Sequence, residues 1–141
     1  MTLPVVFSRS RTPGAALIRL VTWSSWSHNG VLTPEGTVIE ARWPDGVVET
    51  PLDAFIARAS RFELCEFDCP DPGAAVAWAR SQIGKPYDTW GVIGLGIRRR
   101  WQEDDAWWCS ELVEAALARG GRLRFRRDLH RVTPQHSWMV T

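Results

Sequence analysis

Cys109 stands where a helix should begin, in the stretch Trp107-Trp108-Cys109-Ser110-Glu111-Leu112. Unpaired backbone N–H groups and the positive end of the helix dipole favour a thiolate at such a position. The same N–H groups can hold the oxyanion that develops when a thiolate attacks a carbonyl. This is acyl-transfer chemistry, and it needs a base beside the sulfur and a third group that orients the base. A plainer alternative is that Cys109 is a small buried apolar residue, as free cysteines commonly are.

The chain has three histidines, His28, His130 and His136, from which to draw that base. His28 lies in Trp26-Ser27-His28-Asn29-Gly30, at the start of an expected strand over 26–32, so its backbone should be held rigidly. The segment Thr33-Pro34-Glu35-Gly36 has turn residues where a reversal needs them. A second strand is expected over 37–42, and it carries Glu40. A reversal centred near position 34 sets His28 opposite Glu40 as a cross-strand pair. Glu40 would then accept from one imidazole nitrogen and leave the other for Cys109. The alternative is an ordinary strand histidine with a surface salt partner. His130 and His136 lie in or near a basic, loop-like tail.

The elements around these residues follow from pattern. Leu3 to Phe7 is a short apolar strand. Thr12-Pro13 opens a helix to about Thr22, with Ala16, Leu17, Leu20 and Val21 expected on its buried side. After the turn Pro44-Asp45-Gly46, residues 47–50 complete an antiparallel meander. A short helix is expected over 52–59, and residues 62–67 alternate as a half-buried strand does. Asp71-Pro72 starts a helix ending near Gly84. An irregular, glycine-containing helix is expected over 88–101, then a helix from Cys109 to Arg119 closed by Gly120, and a last strand over 122–125. Strands fill the first half and helices the second, so the expected class is α+β, a small antiparallel sheet packed against helices, as one domain over residues 1–141.

Composition excludes some classes of function. With 45% apolar and 23% charged residues, the 141-residue chain can bury a core of its own. A net charge of +1 gives no global field for nucleic acid or anionic membrane. Arginines 98–100 and Arg119, Arg122, Arg124, Arg126, Arg127 and Arg131 are read as a solvated, salt-bridged face. Nine tryptophans are many for this length, and some of them are expected to line a cleft. No leader peptide and no stretch long enough to span a bilayer is recognisable, so the expected location is cytoplasmic. The three cysteines, Cys65, Cys69 and Cys109, are an odd number, which leaves a thiol to explain.

Four pieces of the chain, taken in order, resemble one family. They are Ser27-His28-Asn29-Gly30, Val38-Ile39-Glu40-Ala41, Ile83-Gly84-Lys85-Pro86-Tyr87-Asp88 and Trp108-Cys109-Ser110-Glu111-Leu112-Val113. Together they look like the permuted NlpC-type papain-like cysteine hydrolases of the YiiX-like group, in which the histidine strand precedes the cysteine helix. The likeness runs over about residues 3–118. It implies a circularly permuted papain-like fold and a Cys–His–polar triad acting on amide or ester bonds, with no cofactor and no metal. By position, Cys109 matches the nucleophile, His28 the base and Glu40 the orienting residue. Tyr87 matches a tyrosine whose phenol helps bind substrate or the oxyanion, and Ser110, beside the nucleophile, joins that set. Asn29-Gly30 departs from the small apolar residues commoner there, which should alter the pocket more than the triad.

The expected partner is a peptide, amide or acyl-ester substrate. Three rivals keep their place. Cys65-x-x-x-Cys69 with a histidine has a spacing compatible with zinc. The arginine-rich C-terminal part with exposed Trp rings could bind single-stranded nucleic acid, although no recognisable motif accompanies it. The same fold could transfer a lipid acyl chain if Trp90, Trp101 and Trp107 lined an apolar cleft.

Overall fold

The structure, a computed structural model, describes residues 1–10, 12, 16, 19–20, 24–89, 106–125 and 132–140. Five strands form one antiparallel sheet in the order β4-β3-β2-β1-β5. These are β1 (Thr2–Ser10), β2 (His28–Leu32), β3 (Thr37–Arg42), β4 (Gly46–Pro51) and β5 (Ala59–Asp68). Among the described residues the helices are α1 (Leu52–Ala57), α2 (Pro72–Ser81), α3 (Cys109–Arg119) and α4 (Pro134–Met139). The expected α+β class holds.

Strand β1 is paired on both sides, and Val5, Val6 and Phe7 are all buried. Apolar side chains on consecutive residues of a strand require cover on both faces of the sheet. On one face Leu3, Val5, Phe7, Val31 and Ile39 pack with Ala75, Leu112, Val113, Ala116 and Leu117 of α2 and α3. On the other, Val6 and Val38 pack with Phe55 of the short α1. Helix α2 starts as the sequence suggests, with Asp71 accepting from the Ala74 N–H at 2.8 Å and Pro72 in the first turn.

Several expectations change. The helix expected from Thr12 lies mostly outside the described residues. Its Ala16 N–H donates to the Thr12 carbonyl, but Leu20 is 73% exposed rather than buried. The helix expected over 88–101 also lies outside them, except for Asp88 and Thr89. Residues 122–125 form no strand. Arg124 there is drawn inward to a buried carboxylate instead of pairing along a sheet edge. Helix α4 was not expected. Thr133 caps it by accepting from the His136 N–H, and the His136 ring accepts from the Thr133 N–H in return. Thr133-Pro134 repeats the cap-plus-proline signal of Thr12-Pro13 and could have revealed it.

Candidate active site

The site is assembled where β2 and β3 part. Their shared ladder has two pairs, Val31↔Ile39 and Leu32↔Val38. Beyond it, His28–Gly30 stay paired with β1, and Glu40–Arg42 stay paired with β4. The register corrects one detail. Thr33 and Thr37 close the turn, with the Thr33 N–H on the Thr37 carbonyl at 2.8 Å, so its centre is at Glu35. Extended along the strands, this register sets Gly30, not His28, opposite Glu40, and His28 is the diagonal neighbour.

Gly30 makes the diagonal contact feasible. A Cβ there would come 2.5 Å from Val38 Cγ1 and 3.3 Å from Glu40 Cβ. With no side chain between them, His28 Nε2 donates to Glu40 Oε2 at 2.5 Å. Cys109 is close enough to the His28 ring to help raise its pKa. Since Nε2 serves Glu40, Nδ1 is the nitrogen left for sulfur. Cys109 opens α3 behind an extended Trp108, whose carbonyl accepts the first helical bond from the Leu112 N–H. The cysteine is 2% exposed, whereas 18% of the His28 side chain reaches solvent.

The electrostatics follow from these partners. Burial alone would push the His28 pKa down. Its hydrogen bonds to Cys109 and Glu40, with the attraction of their charges, outweigh that and raise it to about 9. For Glu40, burial favours the neutral acid, but His28, Thr50 and Arg58 bring its pKa down to about 2. Thr50 Oγ1 and Arg58 Nη2 both donate to Glu40 Oε1, at 2.7 and 2.5 Å. Neither residue was expected at the site. Each lies far from His28 in the chain and within no motif, so only the fold reveals it.

Tyr87 is half-buried and pairs with Trp107 in a short parallel bridge. The loop before it is fixed at Gly46, which has φ +86° and where a Cβ would lie 2.2 Å from the Lys85 carbonyl oxygen. No other residue type allows that approach, which also brings the Val47 N–H to Lys85 O at 2.9 Å. Burial, then the charges of Cys109 and Asp88, push the Tyr87 pKa well up, so the phenol keeps its proton. Ser110 is fully buried, and its hydroxyl has no partner among the described residues. Nearby, Glu111 is raised to about 7 by burial and by the charge of Asp88.

The remaining candidates go elsewhere. Cys65 donates weakly to Glu63, and Cys69 to the Gly120 carbonyl at 3.6 Å. Among the described residues, no group of three His, Cys, Asp or Glu side chains is arranged to hold a metal ion. His136 caps α4, and His130 lies outside the described residues. Trp90 and Trp101 lie outside them too. Trp107 packs edge-on against Trp78 and donates to Gln82 at 3.1 Å, so its ring is taken up by packing. Arg124, expected on a solvated face, has a side chain only 2% exposed. Among the described residues, no helix is long and apolar enough to cross a membrane.

No curated protein sequence matches. A solved structure described as the metalloprotein YiiX from Escherichia coli O157:H7 superposes with a TM-score of 0.60 at 25% identity. The match covers 82% of this chain and 63% of that one, so this chain spans somewhat less than two thirds of that neighbour's length. The family model for permuted papain-like amidases, YaeF/YiiX, matches residues 4–139. A histidine strand early in the chain and a cysteine helix late in it, meeting at one site, is the order a permuted papain-like fold requires, and the chain belongs to the permuted papain-like amidase family YaeF/YiiX.

Proposed function

We propose that this protein is a cysteine hydrolase that cleaves an amide or ester bond through a thioester on Cys109, with His28 as base and Glu40 as its orienting partner. One observation carries the reading: the His28 ring is bonded to a fully buried carboxylate and has Cys109 close enough to raise its pKa. A histidine ring whose Nε2 is held by a buried carboxylate is fixed in one orientation, with Nδ1 left for the sulfur.

The chemistry follows from the charges. His28 retains its proton to about pH 9, so at neutral pH it faces the sulfur as an imidazolium. The thiolate attacks the substrate carbonyl, and a C–S bond forms. The oxyanion is held by backbone N–H groups at the start of α3 and by the Tyr87 O–H, with the Ser110 hydroxyl beside it. His28 Nδ1 gives its proton to the leaving amine or alkoxide as that bond breaks. Next, His28 takes a proton from water, and the resulting hydroxide attacks the thioester. The carboxylic acid leaves, and the thiolate and imidazolium are restored.

Hydrolysis of a panel of acyl p-nitroanilides and p-nitrophenyl esters by wild type and Cys109→Ala tests this. Wild type should turn over at least one probe, and the variant should lose on the order of a thousandfold or more while keeping its circular dichroism spectrum. An acyl adduct on Cys109 should be seen by mass spectrometry. Iodoacetamide near neutral pH should label Cys109 before Cys65 or Cys69. Equal rates for wild type and variant would end the assignment.

A further inference from the structure

Helix α1 has only six residues, yet it touches both partners of the histidine–carboxylate pair. Phe55 and Arg58 are three residues apart and so face the same way. The Phe55 ring stacks on the His28 imidazole, with centroids 5.6 Å apart and planes 25° apart. Arg58, the C-terminal cap of α1, donates to Glu40 Oε1 at 2.5 Å, and its guanidinium carbon lies 5.4 Å from the Phe55 ring centroid. The helix is tied to the β2–β3 turn by the Leu52 N–H on the Gly36 carbonyl at 3.1 Å.

We propose that α1 is a clamp for the catalytic pair, with Arg58 as the positioning residue that fixes the Glu40 carboxylate and Phe55 as the wall that fixes the His28 ring plane. This rests on the catalytic roles proposed above. A carboxylate has two oxygens. Thr50 and Arg58 occupy Oε1, so Oε2 is left to His28 and the group cannot turn without losing two bonds. Arg58 also shares the negative charge of Glu40. Without it, more of that charge bears on His28, which would hold its proton more tightly and release it less readily to a leaving group.

Among the described residues, few charged groups surround His28. Cys109 reaches it from α3 and Glu40 from β3. Arg58 from α1 and Arg42 from β3 act through Glu40, at 2.5 and 4.0 Å from its Oε1. Arg42 is itself held by Asp45 at 2.7 Å. The charges of Cys109 and Asp88 act on Tyr87. Arg58 is therefore the only one of these cations in hydrogen-bond contact with Glu40, and it is 39% exposed, so its replacement should leave the fold intact.

The test uses the full chain with Arg58→Met and Arg58→Lys. His28 titration is followed by imidazole NMR, and Cys109 alkylation by iodoacetamide is followed across pH. Arg58→Met should raise the His28 midpoint by about half a unit or more and carry the basic limb of the alkylation profile with it. Hydrolysis of a p-nitrophenyl ester should fall about tenfold. Arg58→Lys should restore the midpoint but not the full rate, because an ammonium keeps the charge and loses the planar fork. An unchanged midpoint and limb in Arg58→Met would overturn the clamp. Should that variant lose its fold, Thr50→Val removes the other donor to Oε1, and the midpoint must rise there too for the proposal to stand. A wild type without Cys109-dependent turnover would defeat the hydrolase reading, while the NMR titration still decides the clamp.

Discussion

Two buried carboxylates in this protein have an arginine and a hydroxyl for neighbours, and they behave in opposite ways. Glu40 receives His28, Thr50 and Arg58, and its pKa is brought down to about 2. Glu114 on α3 receives the Ser137 hydroxyl and has Arg124 at 3.5 Å, yet burial pushes its pKa up. Both carboxylates are buried, and the number and closeness of the donors differ. Glu40 has three donors at 2.5 to 2.7 Å, whereas Glu114 has one hydrogen-bonded donor and a more distant charge. A buried carboxylate stays ionised only when close donors replace the water it has lost. The first arrangement preserves a negative charge beside a histidine. The second fastens α4 and the segment after α3 to the core, where the Arg124 guanidinium carbon lies 4.0 Å from the Phe67 ring centroid.

If that contrast is right, replacing Arg124 should act on stability and replacing Glu40 on activity. The largest effect is expected for Arg124→Ala, which leaves the Glu114 carboxyl buried without its cation. Urea unfolding should show a loss of about 3 kcal/mol, with the rate per folded molecule unchanged.

Stability should next depend on pH with signs that distinguish the groups. His28, raised from 6.5 to about 9, contributes stability that is complete below pH 6.5 and is lost as pH rises through 9. Comparing unfolding free energies of wild type and His28→Gln at pH 6 and pH 9 should show a difference that shrinks by about 3 kcal/mol between them. Glu40, lowered from 4.5, contributes stability present above pH 4.5 and lost as pH falls through about 2. Glu114 is raised, so its contribution is complete below pH 4.5 and fades above it. Glu40→Gln and Glu114→Gln should therefore change the acid slope of the stability curve in opposite directions.

A smaller effect is expected for Glu40→Gln on catalysis, where kcat/KM should fall about a hundredfold because an amide cannot balance the imidazolium. A loss in unfolding free energy larger than that of Arg124→Ala would mean that Glu40 is chiefly structural. The smallest effect is expected for the double variant Glu114→Leu/Arg124→Met. Removing both charges together should cost no more than about 1 kcal/mol, since a buried ion pair is often no better than apolar packing.

How much of this could be read from the chain depended on whether the signal was local. The turn at Thr33–Gly36, the strand at Thr37–Arg42 and the helix at Cys109–Arg119 were legible because each is set by its own residues. Leu20 was misjudged because a helical stripe predicts which residues share a face, not whether another element covers it. Arg124 was misjudged because Arg122, Arg126 and Arg127 stand around it in the sequence, while its partners in space, Glu114 and Phe67, lie on α3 and β5. The His28–Glu40 contact was right in its members and two residues out in register, because a shift of the turn centre from 34 to 35 is invisible in composition.

By itself the sequence determined the α+β class and the order of histidine strand before cysteine helix, and it offered Cys109, His28 and Glu40 as candidates. Residue type and short-range spacing carry the elements, and the resemblance to the family singled out the three side chains. The tertiary structure decided what surrounds them. Gly30 leaves the diagonal open, and Thr50 and Arg58 fill one oxygen of Glu40. Phe55 walls the imidazole, and a half-buried tyrosine under the charge of Cys109 keeps its proton. Proton affinity and orientation depend on dehydration and on partners brought from distant segments, and no local pattern in the chain encodes either.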